Sequence, residues 1–314
     1  MRVTAARLVR HGQPLELQEL ELGEPGDEEV LLEVAYGGVN PTDMHGAQGQ
    51  TARDGPVPRT LGTEGSGTVD GRPVLVRGFG IGTMRDGLWA TAAIVPRAAL
   101  IDLPDGVNMP QAATMGVAGA TAWRTVTELA QVTADDTVLV LGASGGVGSI
   151  VVSMAHGIGA TVAGQTGSES KRDWISRIGA DYAVVSDAVG LTEALVDLPP
   201  TVVFDGLGGE FTGAAIEAMQ PKGRLVLFGT SAGLTGQLPL RQLYRKGITM
   251  HGYAGLLASN QAITAAVQEA LQALAAGQFS VPIDSELPLD QVNVAFDLIK
   301  QRSVHGNLVL DTRI

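Results

Sequence analysis

Apolar residues over the first hundred positions come in short runs, and glycine and proline interrupt them at close intervals. Val30-Leu31-Leu32-Glu33-Val34-Ala35-Tyr36, Pro73-Val74-Leu75-Val76 and Ala92-Ala93-Ile94-Val95 read as strands. Gly37-Gly38, Gly55-Pro56, Gly62, Gly65, Gly67 and Gly71 read as the turns between them. Short strands with frequent turns predict a compact barrel or rolled sheet. Beyond about residue 118 the period changes. Thr137-Val138-Leu139-Val140-Leu141 predicts a buried strand, a glycine turn follows it, and 147–158 has the apolar spacing of a helix. The alternation repeats, with strands at 160–163, 182–185, 201–204 and 224–228 and helices at 169–178, 191–196 and 211–219. That pattern predicts an α/β fold built on a parallel, doubly wound sheet.

After Gly255 two amphipathic helices, 262–275 and 289–299, precede a lone strand at Leu308-Val309-Leu310. A lone strand needs a sheet to join, so the tail is expected to return to the first domain. The chain then divides into a β-rich domain of residues 1–117 and 256–314 and an inserted domain of residues 118–255.

Composition agrees with two folded domains and removes several function classes. Of 314 residues, 45% are hydrophobic and 17% charged, enough to bury sizeable cores. The net charge of -12 lacks the basic footprint of a nucleic-acid binder and disfavours an anionic membrane. Cysteine is absent, so disulfides, thiolate metal sites and cysteine nucleophiles are ruled out. Neither a leader-like apolar segment at the N-terminus nor a run of spanning length stands out, and a cytoplasmic location is expected.

The strongest chemical signal is Gly142-Ala143-Ser144-Gly145-Gly146-Val147-Gly148, placed between a strand and a helix. Glycine there serves a tight turn at Gly142, approach of a pyrophosphate at Gly145, and close helix–strand packing at Gly148. Phosphates would lie over the positive end of the helix that begins near Gly146. The next strand runs into Thr166-Gly167-Ser168-Glu169-Ser170-Lys171-Arg172 with no acid at its tip. An NAD enzyme usually has one there for the ribose hydroxyls; Ser168, Lys171 and Arg172 instead suit a 2′-phosphate, so NADPH is expected.

Gly38-Val39-Asn40-Pro41-Thr42-Asp43, Leu61-Gly62-Thr63-Glu64-Gly65-Ser66-Gly67, Leu103-Pro104-Asp105-Gly106-Val107, Gly116-Val117-Ala118-Gly119-Ala120-Thr121-Ala122-Trp123 and the block 137–148 carry a family resemblance. With them the chain resembles the zinc-independent medium-chain dehydrogenase/reductases, in the quinone oxidoreductase and enoyl reductase branch. The resemblance implies a GroES-like catalytic domain beside a Rossmann nucleotide domain. It also implies no metal, because zinc-dependent relatives carry cysteine where Asn40 stands and histidine where Thr63 stands. It places Asn40 and Thr121 by the nicotinamide, and Tyr253 and Asn307 among contacts near the nicotinamide and nucleotide. Phe228-Gly229-Thr230 ends a strand on the carboxyl edge of the sheet, where such folds bind ligands, and is expected at the cofactor too. The resemblance implies a homodimer as well, joined through the edge strand Gly247-Ile248-Thr249-Met250-His251-Gly252.

The implied reaction is hydride transfer to a quinone or an α,β-unsaturated carbonyl, a small-molecule substrate whose oxygen gains negative charge. Hydrogen-bond donors can stabilise that oxygen in place of a metal. Asn40 is the expected donor and His45 the expected proton source. Relatives often carry tyrosines where this chain has Ser186 and the tyrosine-free stretch Gly46-Ala47-Gln48-Gly49-Gln50. Those losses speak against enoyl-thioester reduction and lend weight to one alternative, a weakly catalytic NADPH-binding sensor or structural protein; the other is a dedicated biosynthetic enoyl or ketone reductase on the same scaffold. Trp89, Trp123 and His156 read as structural.

Overall fold

Glu29–Val39 is the central strand of the first of two units in the computed structural model, which describes residues 1–51 and 55–313. Val30, Leu32, Val34 and Tyr36 are buried, one at every second position, as a strand with one face on a core requires. This unit comprises Met1–Ala118, Ser259–Ala275 and Ile283–Ile314. Its larger sheet runs Ile283–Pro288, Asn307–Asp311, Glu29–Val39, Glu64–Val69, Arg72–Arg77, Leu100–Asp102, with Ala92–Pro96 also paired to Glu29–Val39. The C-terminal strand does return, with Leu308 opposite Val39 in an antiparallel pair. A smaller sheet joins Glu16–Glu21, Arg2–Leu8 and Arg59–Thr60. Trp89 is fully buried, meets Phe296 edge-on at 5.7 Å, and donates its indole N–H to the Gly38 carbonyl at 3.1 Å. Glycine at 37 and 62 makes room for it, since a Cβ would stand 2.4 Å and 2.5 Å from the indole.

The second unit, Gly119–Ala258 with Ala276–Pro282, holds a six-stranded, wholly parallel sheet. Its spatial order is Tyr182–Val185, Thr161–Thr166, Thr137–Leu141, Val202–Asp205, Arg224–Leu227, Thr249–Gly252. The order reverses at Thr137–Leu141, so the loop after that strand lies at the switch point where such sheets bind ligands. Leu139, Leu141, Val203 and Leu225 pack with Ile216 and Met219 beneath it.

Several local features depart from expectation. Gly37, Gly38, Gly65 and Gly67, read as turns, lie within the strands Glu29–Val39 and Glu64–Val69. The helix expected at 289–299 opens as a 3-10 turn, Leu289–Gln291, before the α-helix Val292–Lys300. The helix expected at 169–178 is a 3-10 turn, Glu169–Lys171, followed by an α-helix, Arg172–Arg177, that Gly179 ends at φ +115°. Residues 276–282 belong with the second unit, although the reading of the sequence carried all of 256–314 with the first. They are held on the helix Gly146–Ile158, where the Ser280 N–H donates to Ser153 Oγ at 2.8 Å and a Cβ at Gly157 would stand 2.1 Å from the Gln278 carbonyl. Met115–Gly119 and Arg124–Ala130 are π-helical. Thr125 and Thr127 donate hydroxyls to the carbonyls four residues back at 2.7 Å, a contact that loosens helical winding. Among the described residues no helix is long and apolar enough to cross a membrane.

Candidate functional site

In the second unit the glycine turn has the geometry its spacing predicts. Gly142 is left-handed, with φ +71°, and Gly145 is extended just before the helix Gly146–Ile158. A Cβ at Gly148 would lie 2.4 Å from the Gly142 carbonyl, so only glycine lets the helix approach the strand this closely. The turn rests on Gln165, which sequence reasoning missed. Its side-chain carbonyl accepts the Gly142 N–H at 3.1 Å and its amide donates to the Ser186 carbonyl at 2.7 Å. A polar residue at an inward position of an apolar strand was the available signal.

Beyond Gln165, Thr166 is buried and accepts the Ser168 N–H, while the Gly167 face is open, with nothing within 4 Å of where a Cβ would be. The three residues expected at the 2′-phosphate differ in their commitments. Lys171 is buried, its ammonium 3.2 Å from Ser144 Oγ, which brings a positive charge to the glycine turn itself. Arg172 is ion-paired with Glu169 and donates to the Ala183 carbonyl at 3.0 Å. The guanidinium holds the Glu169 carboxyl below its ordinary range and thereby offsets the one negative charge in this loop. The Ser168 hydroxyl lies 2.8 Å from that of Ser170.

Across the sheet, Phe228 and Gly229 donate backbone N–H groups to the Asp205 carbonyl at 2.9 Å and 3.3 Å, and Thr230 packs beside Gly208. Tyr253 continues from the edge strand, its N–H on the Leu227 carbonyl and its ring 5.7 Å from the Arg124 guanidinium. Thr121 lies on the short helix Ala120–Trp123. His156, read as structural, is exposed near the end of its helix and lies against Gly179.

In the first unit four polar residues converge. Asn40 precedes the helix Pro41–Ala47, and its backbone N–H donates to the Asp43 carboxylate at 2.9 Å, one half of a capping box. The Thr63 hydroxyl donates to the other Asp43 oxygen at 3.0 Å. The Asn40 side-chain amide donates to Glu64 Oε1 at 2.6 Å, and the Val117 N–H donates to Glu64 Oε2 at 2.8 Å. Burial raises Asp43 to about 6 and Glu64 to about 8, and the proximity of Asp43 adds to the rise at Glu64. His45 is not gathered in with the four: it is exposed on the helix. Asn307 is buried at the start of the C-terminal strand of this same unit. Sequence reasoning carried Glu64 and Asp43 only inside family-like segments and gave neither a role.

A zinc ion would find a poor donor set here. The Asn40 amide and Thr63 hydroxyl act as donors toward Glu64 and Asp43, and both Glu64 oxygens are taken. Among the described residues no group of three or more His, Asp or Glu could hold a metal.

Residues 26–105 match the alcohol dehydrogenase GroES-like domain, and 146–281 match the zinc-binding dehydrogenase family. Prostaglandin reductase 1 of Oryctolagus cuniculus is 32% identical over 245 residues, covering 73% of this chain and 68% of that protein. Quinone oxidoreductase 1 of Escherichia coli is 26% identical over 320 residues, covering 96% and 97%. A phenolphthiocerol/phthiocerol polyketide synthase of Mycobacterium tuberculosis is 31% identical over 230 residues, 68% of this chain, which spans only 10% of that much longer protein. The crystal structure of AibC has a TM-score of 0.87 at 27% identity, covering 99% and 96%.

Proposed function

Since the chain belongs to the medium-chain dehydrogenase/reductase superfamily, in its quinone oxidoreductase-like branch, we propose that it is a cytoplasmic, NADPH-dependent oxidoreductase that reduces a quinone or an α,β-unsaturated carbonyl without a metal. The observation that carries this reading is the clamp on Asn40. At a position where zinc-dependent relatives hold their metal, this chain fixes an amide through both its backbone and its side chain.

NADPH would supply hydride to an electrophilic carbon of the acceptor. The glycine turn, the helix behind it and the Lys171 ammonium would hold its phosphates. The Asn40 amide has one N–H on Glu64, leaving a second donor for the acceptor oxygen, where negative charge grows. A proton, from solvent or His45, then converts the enolate to the saturated carbonyl, or the hydroquinone anion to the hydroquinone. NADPH oxidation measured against quinones, enones, enoyl thioesters and aldehydes tests the reading. Turnover of quinones or enones is expected, and turnover of aldehydes alone would overturn it.

NADPH is expected to bind at least tenfold tighter than NADH, about 1.4 kcal/mol, because no carboxylate stands at the end of Thr161–Thr166 and Lys171 brings a cation nearby. Titration of both nucleotides checks this, and Lys171→Ala should narrow the gap. Equal affinities in the wild type would remove the assignment.

A second reading, a dedicated enoyl-thioester reductase, is favoured by the match to a polyketide synthase. The same substrate panel separates the two.

The protein is further proposed to be a homodimer. Thr249–Gly252 is one of the two edge strands of the parallel sheet, and Tyr244, Met250, Leu256 and Leu257 are exposed around it. An edge strand with apolar neighbours invites pairing, and a two-fold partner is the closed solution. Light scattering at micromolar concentration should give twice the chain mass; a monomer would count against it.

A further inference from the structure

The reaction proposed above gives Glu64 no direct role, yet this carboxyl is the most enclosed group of the first unit's cluster. Glu64 has no exposed surface, and Asn40 is 7% exposed. Two glycines wall the carboxyl in. A Cβ at Gly38 would stand 2.9 Å from Oε1, and one at Gly116 would stand 3.0 Å from Oε2. Each oxygen meets a nitrogen donor, Asn40 Nδ2 at 2.6 Å and Val117 N at 2.8 Å.

We propose that Glu64 is a positioning residue for Asn40, its carboxylate fixing the amide in the orientation that serves the acceptor oxygen. The inference rests on the reading of Asn40 given above. A carboxylate accepts on both oxygens, so it satisfies both donors at once. A carboxylic acid or a carboxamide must turn a donor of its own toward one of the two. Val117 offers a backbone N–H in a helical segment and cannot turn away, so the conflict falls on the Asn40 side chain. Holding Asn40 thus requires Glu64 in its ionised form.

The charged groups around Glu64 are few. Asp43 faces it from the helix after Asn40, and Arg77 stands opposite it in register on the neighbouring strand, its side chain sharing the space around Gly116. Glu29–Val39 presents Gly37 and Gly38 here, and Met115–Gly119 carries no charged residue. Burial and Asp43 together place the loss of the Glu64 proton at about 8, within a range open to kinetic measurement.

The test is a double-mutant cycle on NADPH oxidation with 1,4-benzoquinone and 2-cyclohexen-1-one. Wild type, Asn40→Ala, Glu64→Gln and the double variant are compared, with NADPH affinity by fluorescence as the control for folding. Glu64→Gln should lower kcat/KM by about tenfold alone and add nothing on top of Asn40→Ala. The wild-type kcat/KM should rise with pH through about 8, and that limb should vanish in both single variants. A silent Glu64→Gln, or effects that multiply in the double variant, would overturn the proposal while leaving Asn40 in its role. A silent Asn40→Ala would take down both. Should Glu64→Gln fail to fold, the wild-type profile decides: a flat course between about pH 7 and 9 would overturn the proposal.

Discussion

Replacing Asn40 by alanine is expected to lower kcat/KM about a hundredfold for quinones and enones alike, with NADPH affinity unchanged. The magnitude follows from what the side chain does and what it leaves to others. Its backbone N–H, bonded to Asp43, persists in the variant, so the helix Pro41–Ala47 keeps its start. The amide itself is lost, and with it the donor that the proposed reaction aims at the acceptor oxygen. One preorganised donor is worth about 2.7–4 kcal/mol of transition-state stabilisation, and the lower end is the hundredfold expected here. Glu64 would lose its amide partner, a second cost that acts on the free enzyme and is reported by thermal stability. His45→Phe gives the contrast. His45 is exposed and stands apart from the cluster, so its removal should touch only the enone, whose enolate needs a proton donor more than a hydroquinone anion does. Equal, unchanged values for both substrates in His45→Phe would leave it a surface histidine. Unchanged values in Asn40→Ala would remove the proposed catalytic site and leave the fold intact.

The sequence disclosed the elements whose pattern is local and hid the contacts made across long separations. Thr137–Leu141, the glycine turn and the helix behind it announce themselves because strand, turn and helix signals follow one another within a short stretch. Gly142 and Gly148 could be assigned separate duties from spacing alone, and their geometry agrees. Gln165 lies 23 residues from the Gly142 N–H it accepts, and a polar residue in an apolar strand signals a buried role without naming that partner. Glu64 touches Asn40 and Val117 across 24 and 53 residues, so its meaning depends on a fold not yet built. Lys171 was read as a cation for the 2′-phosphate, on the first turn of a helix. Its burial against Ser144 follows from a 3-10 turn that a helical period does not reveal. The return of 276–282 to the second unit is made by Phe279 beside Trp123 and by a carbonyl settled against Gly157, contacts across long separations that no local period reveals.

Asp205 shows the largest contrast expected between two substitutions at one position. It ends the strand Val202–Asp205 with no exposed surface, on the edge of the sheet where the nucleotide is proposed to bind. One carboxyl oxygen, Oδ1, accepts the N–H groups of Leu207 and Gly208, each at 2.8 Å, and Oδ2 accepts the Thr212 hydroxyl at 2.6 Å. Those bonds shape the turn Gly206-Leu207-Gly208-Gly209, in which Gly208 and Gly209 are left-handed, with φ +65° and +57°. Phe228, Gly229 and Thr230 pack directly on that turn, where a Cβ at Gly229 would lie 2.7 Å from the Gly206 carbonyl. Asp205→Ala strands two backbone donors and a hydroxyl in a dry place, at a cost of about 3–4 kcal/mol. Denaturant or thermal unfolding should register it, the latter as a fall of roughly 10 °C. Nucleotide affinity should fall as well, because Phe228-Gly229-Thr230 loses the surface that positions it. Asp205→Asn should cost about 1 kcal/mol or less. Its carbonyl oxygen can keep both backbone N–H groups, and the Thr212 hydroxyl can reverse its role and accept from the new amide. Equal losses in the two variants would mean that Asp205 acts through its charge rather than through this set of bonds.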